Sequence, residues 1–399
     1  MDKMPLDKGA ILIIDRFRGA GYEANVVGGA VRNHILGIPL TDIDIATSAL
    51  PTETVRLFAD HRVIETGIKH GTVTILADGS SYEVTTYRTD GDYLDNRHPE
   101  SVSFTRSLTE DLARRDFTVN AMAYNPYDGI TDLFGGREDV AARLIRAVGN
   151  PETRFREDAL RILRALRFAS VLGFDIEENT SLAIRKTAPL LDNVSRERVY
   201  AEWVKLIGGD GAYNIISAYP DVIGIAIPEL AGTTLPNRER FLSQPAAVRA
   251  LALFYSSCTD PVSSFDTAMT VLHTDTKARK NGVAALEILK KYNLSLENEL
   301  HTALYRHGAE ATALAVGLAY TVDHLDGEAY GAATAALATA PITSLSDLAV
   351  GGGDMIAIGL RGQAIGAMLD ILALAVICGE CENEKTALIN YAKSNINAE

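Results

Sequence analysis

The chain has 399 residues, enough for two or three domains with substantial cores, and at 47% hydrophobic and 23% charged it has the composition of an ordinary globular protein. No apolar run approaches the eighteen or more residues needed to span a bilayer, and Met1-Asp2-Lys3 leads into a helix-like pattern rather than a secretory signal, so a cytoplasmic chain is expected. The net charge of −14 is unevenly spread: residues 209–399 hold 12 Lys and Arg against 21 Asp and Glu, so a broad basic surface is excluded and any positive groups that meet nucleic acid must be local.

Leu6 to Arg18 places Ile11, Ile14 and Phe17 near helical spacing, and Gly19 and Gly21 stop the helix. Val26 and Val27 then read as a strand running into Gly28-Gly29, where the missing side chains allow a phosphate to approach the backbone. Ala30 to Leu36 starts a helix whose first N–H groups and dipole attract an anion, with Arg32 on its first turn. A second strand is expected to carry Asp42 and Asp44. At i and i+2 their side chains share one sheet face, roughly 7 Å apart at the Cα atoms. Two carboxylates so crowded repel unless a divalent cation lies between them. A lone GG is usually a tight turn and a lone DxD a solvated strand end; both within one twenty-residue span point to Mg²⁺-dependent phosphoryl or nucleotidyl transfer.

Pro51 marks a helix start, and Val73–Leu76 and Tyr82–Tyr87 read as consecutive strands. On the second, Glu83, Thr85 and Tyr87 share a face; Glu83 is the candidate third carboxylate, with a solvated strand glutamate the equal alternative. Residues 89–107 are polar, with Gly91 and Pro99 and little periodicity; a loop of that length is usually functional or disordered. Arg114-Arg115-Asp116-Phe117-Thr118-Val119-Asn120-Ala121 ends a helix with two guanidiniums and begins a strand. Such arginines can hold triphosphate or ribose oxygens, and Asp116 and Asn120 can position a ribose hydroxyl or an arginine.

Arg154 to Ser170 reads as one helix, with Ala159, Ile162, Leu163, Leu166 and Ala169 on one arc and Asp158, Arg161, Arg164 and Arg167 on the other. Leu160 and Phe168 interrupt that polar half, so it is not simply a solvated face. Glu157 can pair with Arg161 at i, i+4. An ionised Asp only accepts hydrogen bonds and an Arg only donates them. Asp158 and Arg161 together complement the amino donor and ring-nitrogen acceptor of cytosine and of adenine, and mismatch uracil and guanine, where each wrong pairing leaves polar groups unsatisfied at about 1–3 kcal/mol apiece. From Trp203 onward the chain is helical and alanine-rich, with loops near 208–211, 231–237 and 258–264. Cys378 and Cys381 form a CxxC, but with no second pair and no His close by, a zinc or redox site is not expected.

GGAVRN, nine residues, then DIDIAT resembles the nucleotidyltransferase head of the class II tRNA nucleotidyltransferases (CCA-adding enzymes) and of the related bacterial poly(A) polymerases. Such proteins usually read VRD where this chain has Asn33. Arg114 to Ala121 resembles the family's RRDFTxNA motif, REDALRILRALRF its EDxxR nucleotide-recognition motif, and Ser195 to Glu202 its SxERxxxE motif, a helix buttressing the recognition helix. Lys69-His70-Gly71-Thr72 also matches a common turn, Gly351 to Ile356 and Glu382 to Lys385 its tail; the long 89–107 loop argues against CC-only relatives. The resemblance is dense over roughly residues 25–205 and thin afterwards. It implies an α+β protein: a polymerase-β-like mixed-sheet head (1–148), a helical neck that recognises the nucleotide (149–208), and a helical body and tail that bind tRNA (209–399). It further implies CCA addition to the tRNA 3′ end from CTP and ATP, with Asp42 and Asp44 as metal ligands and catalytic residues alongside Glu83, two Mg²⁺ ions as cofactor, and nucleotide contacts from Gly29, Arg32, Arg115, Asp158, Arg161, Arg164 and Arg167. A poly(A) polymerase or A-adding enzyme is the nearest alternative, and a non-catalytic RNA-binding protein of the same fold the next.

Overall fold

The computed structural model describes residues 3–90 and 102–396; the middle of the polar segment 89–107 lies outside them. The chain forms two compact units, Met1–Ala226 and Ile227–Glu399.

The first unit opens with α1 (Lys8–Gly19), capped by the Asp7 side chain, which accepts from the Ala10 N–H. Next come β1 (Ala24–Val27), α2 (Gly29–Ile35), β2 (Ile45–Thr47), α3 (Pro51–Leu57), β3 (Arg62–Ile64), β4 (Thr72–Ala77) and β5 (Ser80–Thr86). A short antiparallel pair, β6 (Arg88–Asp90) and β7 (Val102–Phe104), flanks the undescribed stretch and is followed by α4 (Leu108–Ala113), β8 (Met122–Asn125), β9 (Gly129–Asp132) and α5 (Gly136–Ala142). Seven strands make one sheet in the order β3-β4-β5-β2-β1-β8-β9. Only β2 and β5 run parallel, so the sheet is mixed, as the polymerase-β-like reading requires. β4 alternates buried with half-buried positions because one face meets the core, and β1, an interior strand, is buried throughout. Phe17, Phe58, Tyr87 and Phe117 are fully buried in this head.

The helical part of the unit comprises α6 (Pro151–Glu157), α7 (Leu160–Leu172), α8 (Glu178–Thr187), α9 (Arg196–Gly208), α10 (Ala212–Ala218) and α11 (Pro220–Ala226). Two local expectations are corrected. Asp42 and Asp44 precede β2 rather than lie within it: β1 turns away at Gly28, so pairing extends only to the Asp44 carbonyl, which accepts from the Val27 N–H at 3.0 Å. The 154–170 helix is broken at Asp158, whose backbone is extended (φ −138°, ψ 104°). Its carboxylate accepts from the Leu160 N–H at 3.1 Å, an Asx turn that competes with helix continuation and starts α7 afresh.

Asp111 on α4 ties the head together. It is 0% exposed and accepts from Arg114 Nε at 3.0 Å and from Arg115 Nη2 at 3.1 Å. Burial by itself would raise its carboxyl, but the two guanidiniums outweigh that and hold it below the usual range. Its stabilising contribution is therefore full above the unfolded value, about 3.9, and is lost as pH falls through the lower folded value. Asp111→Asn is expected to cost about 2 kcal/mol at neutral pH, with the gap to wild type closing below pH about 4. Urea unfolding followed by the fluorescence of Trp203, the chain's single tryptophan and buried in α9, reads this out. An unchanged midpoint at pH 7 would refute it.

The second unit is helical: α12 (Arg238–Leu242), α13 (Ala246–Ser257), α14 (Pro261–Val271), α15 (Thr276–Lys291), α16 (Glu297–His307), α17 (Ala309–Thr321), α18 (Gly327–Leu337), α19 (Gly352–Ala357), α20 (Gln363–Ile377) and α21 (Lys385–Ile396). Met355, Leu372 and Leu388 centre its last core cluster. Among the described residues no helix is long and apolar enough to cross a membrane. Cys378 is exposed and Cys381 partly buried, and both are free thiols.

Candidate active site

The Gly28-Gly29 turn forms as its glycines dictate. Gly28 sits at φ 71°, ψ −132°, a conformation that L side chains rarely adopt, and it caps α2, whose first residue is Gly29. A Cβ on Gly28 would stand 3.2 Å from Arg115 Nη1, and one on Gly29 would stand 3.3 Å from Arg32 Nη2, so both guanidiniums border the turn.

The carboxylates lie beside it. Ile45 pairs with Val84 in the β2–β5 register, which sets Asp44 alongside Glu83. Although the Asp44 side chain opens to the cleft, the protein around it, then the Glu83 carboxylate and further Asp42, push its carboxyl above the ordinary range against the pull of Arg115. A divalent cation relieves that crowding, and the donor set is of the hard-oxygen type such ions take. Among the described residues no three His, Cys, Asp or Glu converge tightly enough to hold a metal by themselves.

A cleft of about 730 Å³ is lined by Gly29, Arg32, Asp44, Glu83, Arg115, Asp158, Arg161, Arg164 and Arg167, together with His70, Arg198 and others. The strand carboxylates and the α7 arginines therefore face one space. Asp42 lines a neighbouring hollow of about 550 Å³ that shares Asp44 and Glu83 with the cleft. Of the expected β5 face, Glu83 and Thr85 reach the cleft, whereas Tyr87 lies past the strand end in the core, where its hydroxyl accepts from Asn25 Nδ2 at 2.6 Å. Eight arginines line the cleft against the carboxylates of Asp44, Glu83, Asp116 and Asp158. In a chain of net charge −14 this is the local concentration of positive groups that an anionic substrate needs.

Three family models match the chain: the Poly A polymerase head domain over residues 24–146, the RNA and SrmB-binding site of polymerase A over 173–218, and tRNA nucleotidyltransferase domain 2 over 249–392. The CCA-adding enzyme of Limosilactobacillus fermentum is 38% identical over 392 residues, covering 95% of each chain, and that of Lacticaseibacillus paracasei is 40% identical over 394 residues, covering 96% of each. The chain belongs to the CCA-adding enzymes. The crystal structure of the Bacillus stearothermophilus CCA-adding enzyme in complex with CTP superposes with a TM-score of 0.79 at 33% identity, over 98% of both chains.

In this member of the CCA-adding enzymes, side chains that sequence reading left without definite roles hold the arginines in place. Asp116 is buried; its Oδ2 accepts from Arg164 Nε at 2.8 Å and its Oδ1 from the Phe117 N–H at 2.8 Å. Burial opposes its charge, but Arg164 and then Arg161 keep its carboxyl low. Asn120 accepts from Arg32. Of the two roles open to Asp116 and Asn120, both thus position an arginine. Phe168, the apolar interruption of the polar arc, meets Phe117 edge-on at 5.8 Å and carries the Arg167 guanidinium 4.0 Å from its centroid.

Asp158 and Arg161 are likewise held by their neighbours. Arg161 is 9% exposed and donates to the carbonyls of Arg154 and Arg114, each at 3.1 Å, as well as to Glu157. Asp158 Oδ2 accepts from Arg198 Nη2 at 2.8 Å, and Arg167 Nε lies 2.9 Å from Glu202 Oε2. Both partners come from α9, so the SxERxxxE motif buttresses α7 at Arg167 and the break before it at Asp158. Arg115 Nε and Arg198 Nη1 are buried without a hydrogen-bond partner among the described residues. Two unmet donors on residues that line the cleft suit a ligand rich in oxygen acceptors.

Proposed function

We propose that the chain builds or repairs the 3′-terminal CCA of tRNA, taking CTP and ATP without a nucleic-acid template and releasing pyrophosphate. The observation that carries this reading is the single cleft lined at once by Asp44 and Glu83, the Gly28-Gly29 turn, and the Asp158–Arg161 couple. The triphosphate lies on the glycine turn, where the N–H groups at the start of α2 and the charges of Arg32 and Arg115 meet its oxygens. Asp158 and Arg161 face the base: two of the roughly four acceptor positions of the Asp158 carboxylate are taken by Leu160 and Arg198, leaving others for an amino group. Arg164 and Arg167, neutralised by Asp116 and Glu202, form the polar wall beneath. Asp42 and Asp44, with Glu83 beside them, would hold magnesium. When bound there it supplies Lewis acidity that lowers the pKa of the primer 3′-hydroxyl and charge that offsets the departing pyrophosphate. The chain itself supplies orientation, aligning the α-phosphorus for in-line attack and excluding U and G by unsatisfied hydrogen bonds.

In this reading residues 1–148 are the catalytic head, 149–208 read the nucleotide, 209–399 grip tRNA, and the protein works in the cytoplasm. The test is stepwise extension of tRNA lacking its CCA. CTP alone should add two nucleotides, and ATP a third only after them. An adenosine tail grown without CTP would instead identify a poly(A) polymerase, and no incorporation at all would leave the fold as an RNA-binding scaffold.

A further inference from the structure

Arg32 is 8% exposed, yet its hydrogen-bond partners are neutral. Its Nε and Nη2 donate to Asn33 Oδ1 at 3.2 and 3.0 Å, and its Nη1 donates to Asn120 Oδ1. The guanidinium also lies 5.4 Å from the centroid of the Phe168 ring. Among the described residues it forms no ion pair. The carboxylate that acts on it, Asp116, is already bonded by Arg164. Burial, and next the charge of Arg167, draw its pKa down to about 10, which still leaves it protonated at neutral pH. A buried cation hydrogen-bonded only to amides is one whose charge remains available to an incoming anion. The Gly29 turn, 3.3 Å away from a Cβ position to Nη2, is where that anion would sit.

We infer that Asn33 is a positioning residue that holds Arg32 against the Gly28-Gly29 turn without cancelling its charge, so that the incoming triphosphate meets the whole guanidinium charge. A carboxylate at position 33 would accept the same two N–H groups and neutralise the cation in the same step. Asn33 is half-buried at the start of the second turn of α2, so an isosteric change there is compatible with the fold.

The inference rests on the nucleotide-binding reading above, and wild-type CCA addition to truncated tRNA is therefore measured first; its absence would count against that reading rather than this one. With the wild-type enzyme active, Asn33→Asp should raise the KM for CTP and for ATP about fivefold while kcat falls less than twofold. The salt dependence of KM should also flatten, because one uncompensated charge has been removed. Inhibition by pyrophosphate should weaken in parallel. Asn33→Ser, which withdraws the acceptor without adding charge, should raise KM while keeping the wild-type salt dependence. A KM for Asn33→Asp within twofold of wild type, or a loss confined to kcat, would overturn the assignment. So would an equal flattening of salt dependence in Asn33→Ser.

Discussion

Asp44→Ala is expected to lower nucleotide incorporation about a thousandfold while leaving tRNA affinity within about twofold. The loss corresponds to about 4 kcal/mol of transition-state stabilisation, the scale of several kcal/mol associated with a Lewis acid on a phosphoryl oxygen. Asp44 is the residue most exposed to this effect because it borders both the main cleft and the adjoining hollow, whereas Asp42 reaches only the latter. Its carboxyl is pushed up by burial, Glu83 and Asp42, so the site is short of positive charge at the point where a divalent cation is proposed. Removing Asp44 would relieve that crowding, and folding should survive the change. Single-turnover extension of tRNA lacking CCA, beside direct tRNA binding, separates the two effects. Incorporation within tenfold of wild type would remove Asp44 from the metal-binding role, and a parallel collapse of tRNA affinity would point to misfolding.

Asp158→Ala should lower the preference for C and A over U and G about a hundredfold, a larger change than its effect on the rate with the best nucleotide. Two mispaired polar groups at about 1–3 kcal/mol each set that scale. The variant also leaves Arg198 without its carboxylate, since Arg198 Nη2 donates to Asp158 Oδ2 at 2.8 Å. That costs stability but does not distinguish one base from another. Competition among all four nucleoside triphosphates on a tRNA primer gives the ratio directly, and thermal unfolding records the stability cost separately. If all four nucleotides slow equally, Asp158 orients the helix and does not read the base.

The residues of both experiments were legible in different degrees. Gly28-Gly29 followed by Asp42 and Asp44 pointed to nucleotidyl transfer because backbone freedom and charge crowding are local properties of residue type. Glu83 could be nominated from strand periodicity but not placed, since its neighbour depends on the parallel β2–β5 pairing, which joins residues about forty apart in sequence. The helical reading of 154–170 erred at Asp158 because hydrophobic periodicity does not register a side chain that bonds the backbone two residues ahead. Phe168 and Leu160 gave a sign that the polar arc was not a solvated face, though not what covered it.

The sequence by itself determined the glycine turn, the acidic doublet and the arginine-rich 154–170 segment, all properties of residues close together in the chain, while the α+β class followed from the family resemblance. Only the tertiary structure decided which distant carboxylate serves which cation: Asp116 with Arg164, Asp158 with Arg198, and Glu202 with Arg167. Any arginine can pair with any carboxylate, and nothing in a linear pattern ranks those pairings. Packing α7 against α9 and the head removes water from the contest, and burial then leaves each charge with the partner the fold brings within reach.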